Sequence, residues 1–388
     1  MQWLTLPGSS RMNRPGWVYC AMDEAQRAKA YHRAGRVLEV AGFAIDLLLL
    51  LLLLFAGWTI GLRNFAYGLT SHPALALLIY CILFGLIFQL PGIPLSYLKG
   101  YRLEHRYGLS NLTLWSWIKD ELKGLAVGGT LGLLGVELVY WTMRTWPATW
   151  WIISATAFIA FFVLLANLAP VLLFPIFFKF KPVEDESLTA RLLELSRRAG
   201  TRVRGVFEWT LSEKSKKANA ALVGLGNTRR IILSDTLLEK FSAEEVEAVL
   251  AHEFGHHVRH HVSRMIVVQA LSTYVGFYLA NACLLKWGPS LGFRGVADFA
   301  NLPLLILVSM ALSLILLPCV NTHSRWLERQ ADDYALKTIP SKSAFITSME
   351  RLAEINLAER QPSAWIEFIF HSHPSIEKRI AYARSTPV

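Results

Sequence analysis

Charge is scarce in this 388-residue chain: Asp, Glu, Lys and Arg make up only 18% of it, hydrophobic residues 53%. Mean hydropathy is positive, at +0.36. That balance excludes an ordinary soluble domain and fits a membrane protein with a sizeable aqueous portion. Cysteine is scarcer still. Cys20, Cys81, Cys283 and Cys319 are scattered, without a CxxC, and three lie in or beside apolar runs. A thiol there behaves as a small hydrophobe, so neither a disulfide framework nor a cysteine metal site is expected. The first forty residues lack a compact apolar stretch with a small-residue cleavage site, and no removable signal peptide is expected. Acidic residues are outnumbered, 29 against 39 basic ones, for a net charge of +10. The excess Lys and Arg flank apolar runs, as on the cytoplasmic side of a membrane protein, which argues against a nucleic-acid partner.

Apolar stretches are abundant. A bilayer crossing takes ~20 helical residues, and six segments qualify, at 40–62, 73–98, 125–146, 150–178, 265–287 and 301–320. Basic residues cluster before the first (Arg11, Arg14, Arg27, Lys29, Arg33, Arg36) and between the second and third (Lys99, Arg102, Arg106, Lys119, Lys123). The alternate connections carry few. By the positive-inside rule the rich set faces the cytoplasm, and alternation puts the two long polar stretches there too. The expected organisation is a cytoplasmic segment 1–39, then four spans over 40–178 with a cytoplasmic loop at 99–124. A first catalytic portion follows over 179–264, two spans over 265–320, and a second catalytic portion over 321–388. Asp46, Glu137, Asn167 and Asn281 fall inside spans, where ionisable groups need protein or water around them. Asp46 reads as solvated near the basic interface, and Glu137, on a glycine-rich span, as facing a cavity.

Within 179–264 the pattern reads as helix (184–199), strand (203–209), then a hairpin of two short strands (218–223 and 229–234) joined by Gly224-Leu225-Gly226-Asn227. A helix over 241–261 follows, opened by a Ser242/Glu245 capping box. It carries His252-Glu253-Phe254-Gly255-His256. Residues four apart share a helical face, so His252 and His256 can reach one Zn²⁺, and the adjacent Glu253 can take a proton from water. His257, His260 and His261 offer further i,i+4 pairs (His256/His260, His257/His261), but none with a following Glu. With Arg259 they are expected to solvate the membrane interface. A third ligand leaves one position open, and Glu328, four residues before Asp332 on a predicted helix, is the best candidate. Asp332 could then accept a hydrogen bond from a ligand imidazole, although Arg325 or Arg329 could equally pair with the two acids.

Together, His-Glu-Phe-Gly-His-His from His252, the Glu328–Ala331–Asp332 segment and His371-Ser372-His373-Pro374 with Arg379 resemble the type I CAAX prenyl endopeptidases. These are membrane-embedded zinc proteases of the gluzincin kind, related to the HtpX-type proteases. Glu104 through Ser110, and Ser215 through Asn219 leading into Arg229 through Leu238, resemble them also. The resemblance implies one zinc on His252, His256 and Glu328, with Glu253 as general base and Asp332 orienting a ligand. It further implies that Asn219, His373 and Arg379 line the cleft and steady the substrate or a developing oxyanion. The strand at 218–223, with Ala220 and Ala221, reads as an edge to which a peptide can add. Lys214, Lys216 and Lys217 beside it read as a mobile solvated loop. The family also implies seven spans where six are counted here, and the seventh would fall N-terminal.

The expected fold is therefore mainly α, a polytopic bundle of about six spans with a cytoplasmic zincin-like α+β metalloprotease domain. The expected activity is zinc-dependent endoproteolysis of membrane-associated or prenylated proteins, at a bacterial inner membrane or the endoplasmic reticulum. Partners are the bilayer and a peptide or lipidated protein substrate; oligomeric state is not legible. The alternatives are a quality-control protease of the HtpX type and a non-catalytic zinc-binding transporter or scaffold.

Overall fold

The computed structural model describes residues 23–224 and 228–387. The tip of the expected hairpin, and the stretch where a seventh, N-terminal span would begin, lie outside the described residues. Among the described residues, six helices are long and apolar enough to cross a membrane: Glu24–Phe55, Pro73–Arg106, Leu114–Thr145, Trp150–Leu172, His261–Trp287 and Phe299–Thr338. Their number matches the sequence reading; most of their bounds do not. The first, α1 (Glu24–Phe55), starts far earlier than residue 40, because Asp23 caps it by accepting from Gln26 N at 2.7 Å. It also stops earlier. Gly57 turns left-handed, at φ 72°, and a separate helix α2 (Trp58–Leu69) follows. Pro91 and Pro94 do not break α3 (Pro73–Ser96), which runs on into a π-helical stretch, Tyr97–Leu103, with wider i→i+5 bonding.

α4 (Leu114–Thr145) and α5 (Trp150–Leu172) meet at the expected Trp146 corner. Several polar groups within the bundle find partners, as apolar surroundings favour. Glu137 lies 3.6 Å from Arg144 two turns along the same helix, so it pairs locally. Asn281 Oδ1 accepts from Trp150 Nε1 at 2.8 Å, and Asn167 Oδ1 from the Thr228 hydroxyl at 3.4 Å. Arg63 of α2 is buried against Asp298.

Outside the bundle a four-stranded sheet has the order β1-β2-β4-β3, with β1 Phe180–Pro182, β2 Val206–Trp209, β3 Ala220–Val223 and β4 Arg230–Ser234. β3 is an edge, as its sequence suggested. α6 (Glu186–Arg198) packs Leu188, Leu192 and Leu195 into one core with Ile231 and Leu233 of β4. α7 (Ala243–Val258) adds Val246, Leu250 and Phe254 to it. Full burial of a side chain such as Phe254 contributes about 1.5–3 kcal/mol. The lysines before β3 are not a solvated loop. Lys214 Nζ sits 2.5 Å from Asp120, Lys217 Nζ sits 3.0 Å from Glu104, and Ser215 bridges Ser110 as a short antiparallel pair. These contacts fasten the segment to the connection after α3 and to the start of α4.

Candidate metal centre

Two helices build the site. α7 starts where expected: Glu245 N donates to Ser242 Oγ at 3.3 Å and Ser242 N to Glu245 Oε2 at 2.9 Å. It ends sooner than the sequence suggested, at Val258, because His260 adopts a left-handed conformation, φ 55°. That residue stops the ladder and starts α8 (His261–Trp287) in a new direction. The second builder is α9 (Leu302–Thr338), one continuous helix of 37 residues. It fuses the last span to the segment bearing Glu328 and Asp332, which the sequence reading had treated as separate parts.

Gly255 lets the two helices touch. A Cβ at this position would lie 2.9 Å from both Cα and O of Ala331. A mid-helix glycine is unfavourable by about 1 kcal/mol relative to alanine, and that cost is the sequence signal for a close crossing. The crossing brings His252 and His256, which flank Gly255, to Glu328 and Asp332, which flank Ala331.

The three expected ligands come together. His252 Nε2 and His256 Nε2 are 3.2 Å apart, His252 Nε2 to Glu328 Oε2 is 3.3 Å, and His256 Nε2 to Glu328 Oε1 is 3.2 Å. Tetrahedral zinc with bonds of 2.0–2.1 Å separates its ligand atoms by roughly 3.3 Å. Glu328 is buried, and its Oε2 has no hydrogen-bond partner among the described residues. A buried carboxylate facing two imidazoles, with one oxygen free of hydrogen bonds among the described residues, fits a divalent cation. Glu253 is half-buried beside them, and no hydrogen bond or ion pair engages it among the described residues. Burial pushes its carboxyl above the usual range, against the pull of the neighbouring His252 and His256.

Behind the ligands lies a charged layer. Asp332 is 1% exposed, with Oδ1 2.8 Å from His252 Nδ1. Arg379, on α10 (Ile376–Ser385), grips Asp332 with two hydrogen bonds, Nε to Oδ2 at 2.9 Å and Nη2 to Oδ1 at 2.6 Å. Arg379 is itself buried, with Nη2 3.2 Å from His252 Nδ1. Its guanidinium therefore stands behind the ligand layer. Burial alone would raise the Glu328 carboxyl, but contact with His252 and His256 outweighs it and holds that group well below the usual carboxylate range.

His373 is exposed, with Nε2 3.3 Å from Glu328 Oε1 and Nδ1 2.9 Å from the Ser372 hydroxyl. Arg325 pairs with neither Glu328 nor Asp332. It donates to the carbonyls of Glu367 at 2.9 Å and His371 at 2.6 Å, tying the His373 segment to α9. No sequence signal pointed to that role. Asn219 is exposed at the start of the edge strand, its carbonyl accepting from Ser234 N at 2.9 Å. Ala218 N and O face the other way, bonded to the Asn356 side-chain amide at 2.9 and 3.1 Å. Alternation along the strand then turns the main-chain groups of Ala220 and Leu222 to the open edge, and those of Ala221 to β4. His261, expected to solvate the interface, is instead 2% exposed and abuts His256.

The family model described as Peptidase family M48 matches residues 182–386, more than half of the chain. The chain belongs to peptidase family M48. A second model, described as CAAX prenyl protease N-terminal, five membrane helices, matches residues 19–179. Within the described part of that stretch stand α1 to α5, of which the 12-residue α2 is about 18 Å long and too short to cross alone. The chain is 28% identical over 365 residues to the uncharacterized metalloprotease YhfN of Bacillus subtilis (strain 168), covering 93% of this chain and 85% of that one. It is 29% identical over 319 residues to CAAX prenyl protease 1 of Saccharomyces cerevisiae, covering 75% and 68% respectively. Its fold matches the crystal structure of S. mikatae Ste24p with a TM-score of 0.83 at 24% identity, over 96% of this chain and 92% of that one. The expected kinship with CAAX prenyl proteases holds, and this M48 chain is a multi-helix membrane metalloprotease.

Proposed function

We propose that this metalloprotease hydrolyses peptide bonds in membrane-associated or prenylated CAAX-type proteins, at a site facing the cytoplasm. His252, His256 and Glu328 would hold one Zn²⁺, and Glu253 would act as general base. The observation that carries this reading is the near-tetrahedral spacing of the three donor groups, with Glu253 unpaired beside them. When bound, zinc supplies Lewis acidity that lowers the pKa of water towards ~7 and polarises a peptide carbonyl. Glu253 takes the proton from the attacking water and hands it to the leaving amine. Asp332 holds His252 with its Nε2 towards the ligand set, and Arg379 keeps Asp332 ionised and fixed. His373, exposed at the rim of the site, is placed to donate to the oxygen on which charge develops.

Substrate recognition would use the free edge of β3. Main-chain hydrogen bonds to Ala220 and Leu222 give affinity with little sequence preference, and Asn219 adds a side-chain amide at the strand's start. The Asn356 amide already occupies Ala218, so the edge open to a peptide ends there. Membrane substrates suit the position of the site: α8 and α9, which carry spans, both reach it directly. The basic loops on the same side as the site support its cytoplasmic orientation.

Replacing Glu253 with Gln should keep one zinc per chain and lower cleavage of a farnesylated CAAX peptide by at least ~100-fold, the scale of general-base loss. Retained cleavage in Glu253→Gln would sink the mechanism. Equal turnover of farnesylated and unmodified peptides by the wild-type enzyme would remove prenylation from the substrate definition.

A further inference from the structure

The two histidine ligands have unlike supports. The outer nitrogen of His252 meets a carboxylate, Asp332 Oδ1, at 2.8 Å. The outer nitrogen of His256 meets another imidazole: His256 Nδ1 and His261 Nδ1 are 3.0 Å apart, with the rings nearly perpendicular at 78°. From this we infer that His261 is a positioning residue that fixes the tautomer and ring orientation of His256. The inference rests on the reading of His252, His256 and Glu328 as metal ligands.

Proton logic dictates the arrangement. His256 turns Nε2 towards His252 and Glu328, so in a neutral ligand imidazole the proton resides on Nδ1. Two nitrogens 3.0 Å apart need one donor and one acceptor. His261 Nδ1 therefore accepts, and the His261 proton sits on Nε2, a buried atom without a hydrogen-bond partner among the described residues. His256 can then rotate away from the ligand set only by losing that hydrogen bond. His261 itself cannot drift, because it is buried at the first turn of α8.

The fold has to bend to achieve this contact. On an unbroken helix, residues five apart are turned about 140° from one another and face different ways. The left-handed His260 interrupts the ladder after Val258 and swings His261 back onto His256. A non-glycine residue in that conformation is strained and persists only where its surroundings enforce it. The same bend starts a membrane-spanning helix, so the orientation of a ligand is tied to the position of α8. The support is also electrically neutral, unlike Asp332, and leaves the ligand set with a single anionic neighbour behind its histidines.

Two variants separate positioning from packing. Asn places an amide oxygen near the position of Nδ1, whereas Leu fills the space without an acceptor. Full-length His261→Asn and His261→Leu, in detergent, are stripped of metal. Each is then titrated with Zn²⁺ against a chelator and with Co²⁺ while its visible ligand-field spectrum is followed. Thermal midpoints of the metal-free proteins are compared alongside, and His261→Ala replaces the Leu variant if that chain does not fold. The expected result is a 10- to 100-fold loss of zinc affinity and an altered Co²⁺ spectrum in His261→Leu. His261→Asn should stay within a few-fold of wild type at an unchanged thermal midpoint. Equal zinc affinity in Asn, Leu and wild-type proteins would overturn the inference while leaving the metal site intact. Equal losses in Asn and Leu would overturn it in favour of packing. A wild-type chain that takes up no zinc, or a His252→Ala chain that takes up as much as wild type, would instead overturn the underlying site.

Discussion

Metal-free, His252 is enclosed by Asp332, Glu328 and the Arg379 guanidinium. Burial and Arg379 lower its pKa, the two carboxylates raise it, and the balance pushes it up to about 9. Its folded value lies above the unfolded one, so protonated His252 stabilises the metal-free fold fully below about 6.5, and that contribution fades as pH rises through about 9. Zinc requires the neutral imidazole, so its uptake expels this proton. Zinc affinity of the stripped protein should therefore rise by about tenfold per pH unit between 7 and 9, then level off. Chelator competition across that range checks it; a flat profile contradicts the proton count. Asp332→Asn tests the other side of His252. It removes a carboxylate from the ligand's outer nitrogen and leaves Arg379 buried without its partner. Zinc affinity should fall 10- to 100-fold, and the thermal midpoint with it. His252, Glu253 and His256 were legible because a periodic helix makes their spacing meaningful. Arg379 was legible as a site residue, but its place behind Asp332 was not, since nothing in sequence spacing fixes which face of α10 meets α9.

At the scale of elements, the contact of α7 with α9 decides whether a site exists. Gly255→Ala would place a methyl 2.9 Å from Ala331 backbone atoms, which cannot rotate away as a side-chain tip can. Separating the helices would destabilise the fold by about 1–3 kcal/mol, as overpacking typically does. It would also spread His252 and His256 from Glu328. Zinc affinity should fall more than tenfold although no ligand is altered, which isothermal titration would show; unchanged affinity would mean that the crossing tolerates the extra bulk. The capping box announced where α7 starts, because its residues are local. Its end was misplaced: an apolar-periodic sequence continues through His260, and only the packing of α8 forces the left-handed turn. The first span was misread for a related reason. Apolar pattern marks the part that needs lipid, whereas the helix extends as far as capping allows, to Asp23 on one side and Gly57 on the other.

Over the whole molecule, α8 spans 27 residues, about 40 Å, and separates the metal centre from a polar cluster at the far end of the bundle. There, buried Arg63 meets Asp298, whose carboxylate also accepts from Arg294 N and Ala300 N at 2.8 and 3.1 Å. Removing one partner strands the other charge, at a cost of 3–5 kcal/mol. Asp298→Ala should thus lower the thermal midpoint markedly. Effects at sites this far apart add independently, so the folded fraction should bind zinc with wild-type affinity. A changed zinc affinity in folded protein would reveal coupling along α8.

Composition and hydrophobic runs by themselves determined that this chain lives in a membrane, with six crossing helices, and the HExxH spacing determined that two imidazoles share a helical face. Those are local properties: hydropathy sums over one segment, and helical geometry relates residues within one turn. Only the tertiary structure decided that Glu328, 72 residues later than His256, lies beside both histidines, that Arg379 stands behind them, and that His261 abuts His256. Such contacts depend on how close two helices approach and where a chain reverses. A missing methyl at Gly255 and a left-handed His260 set both.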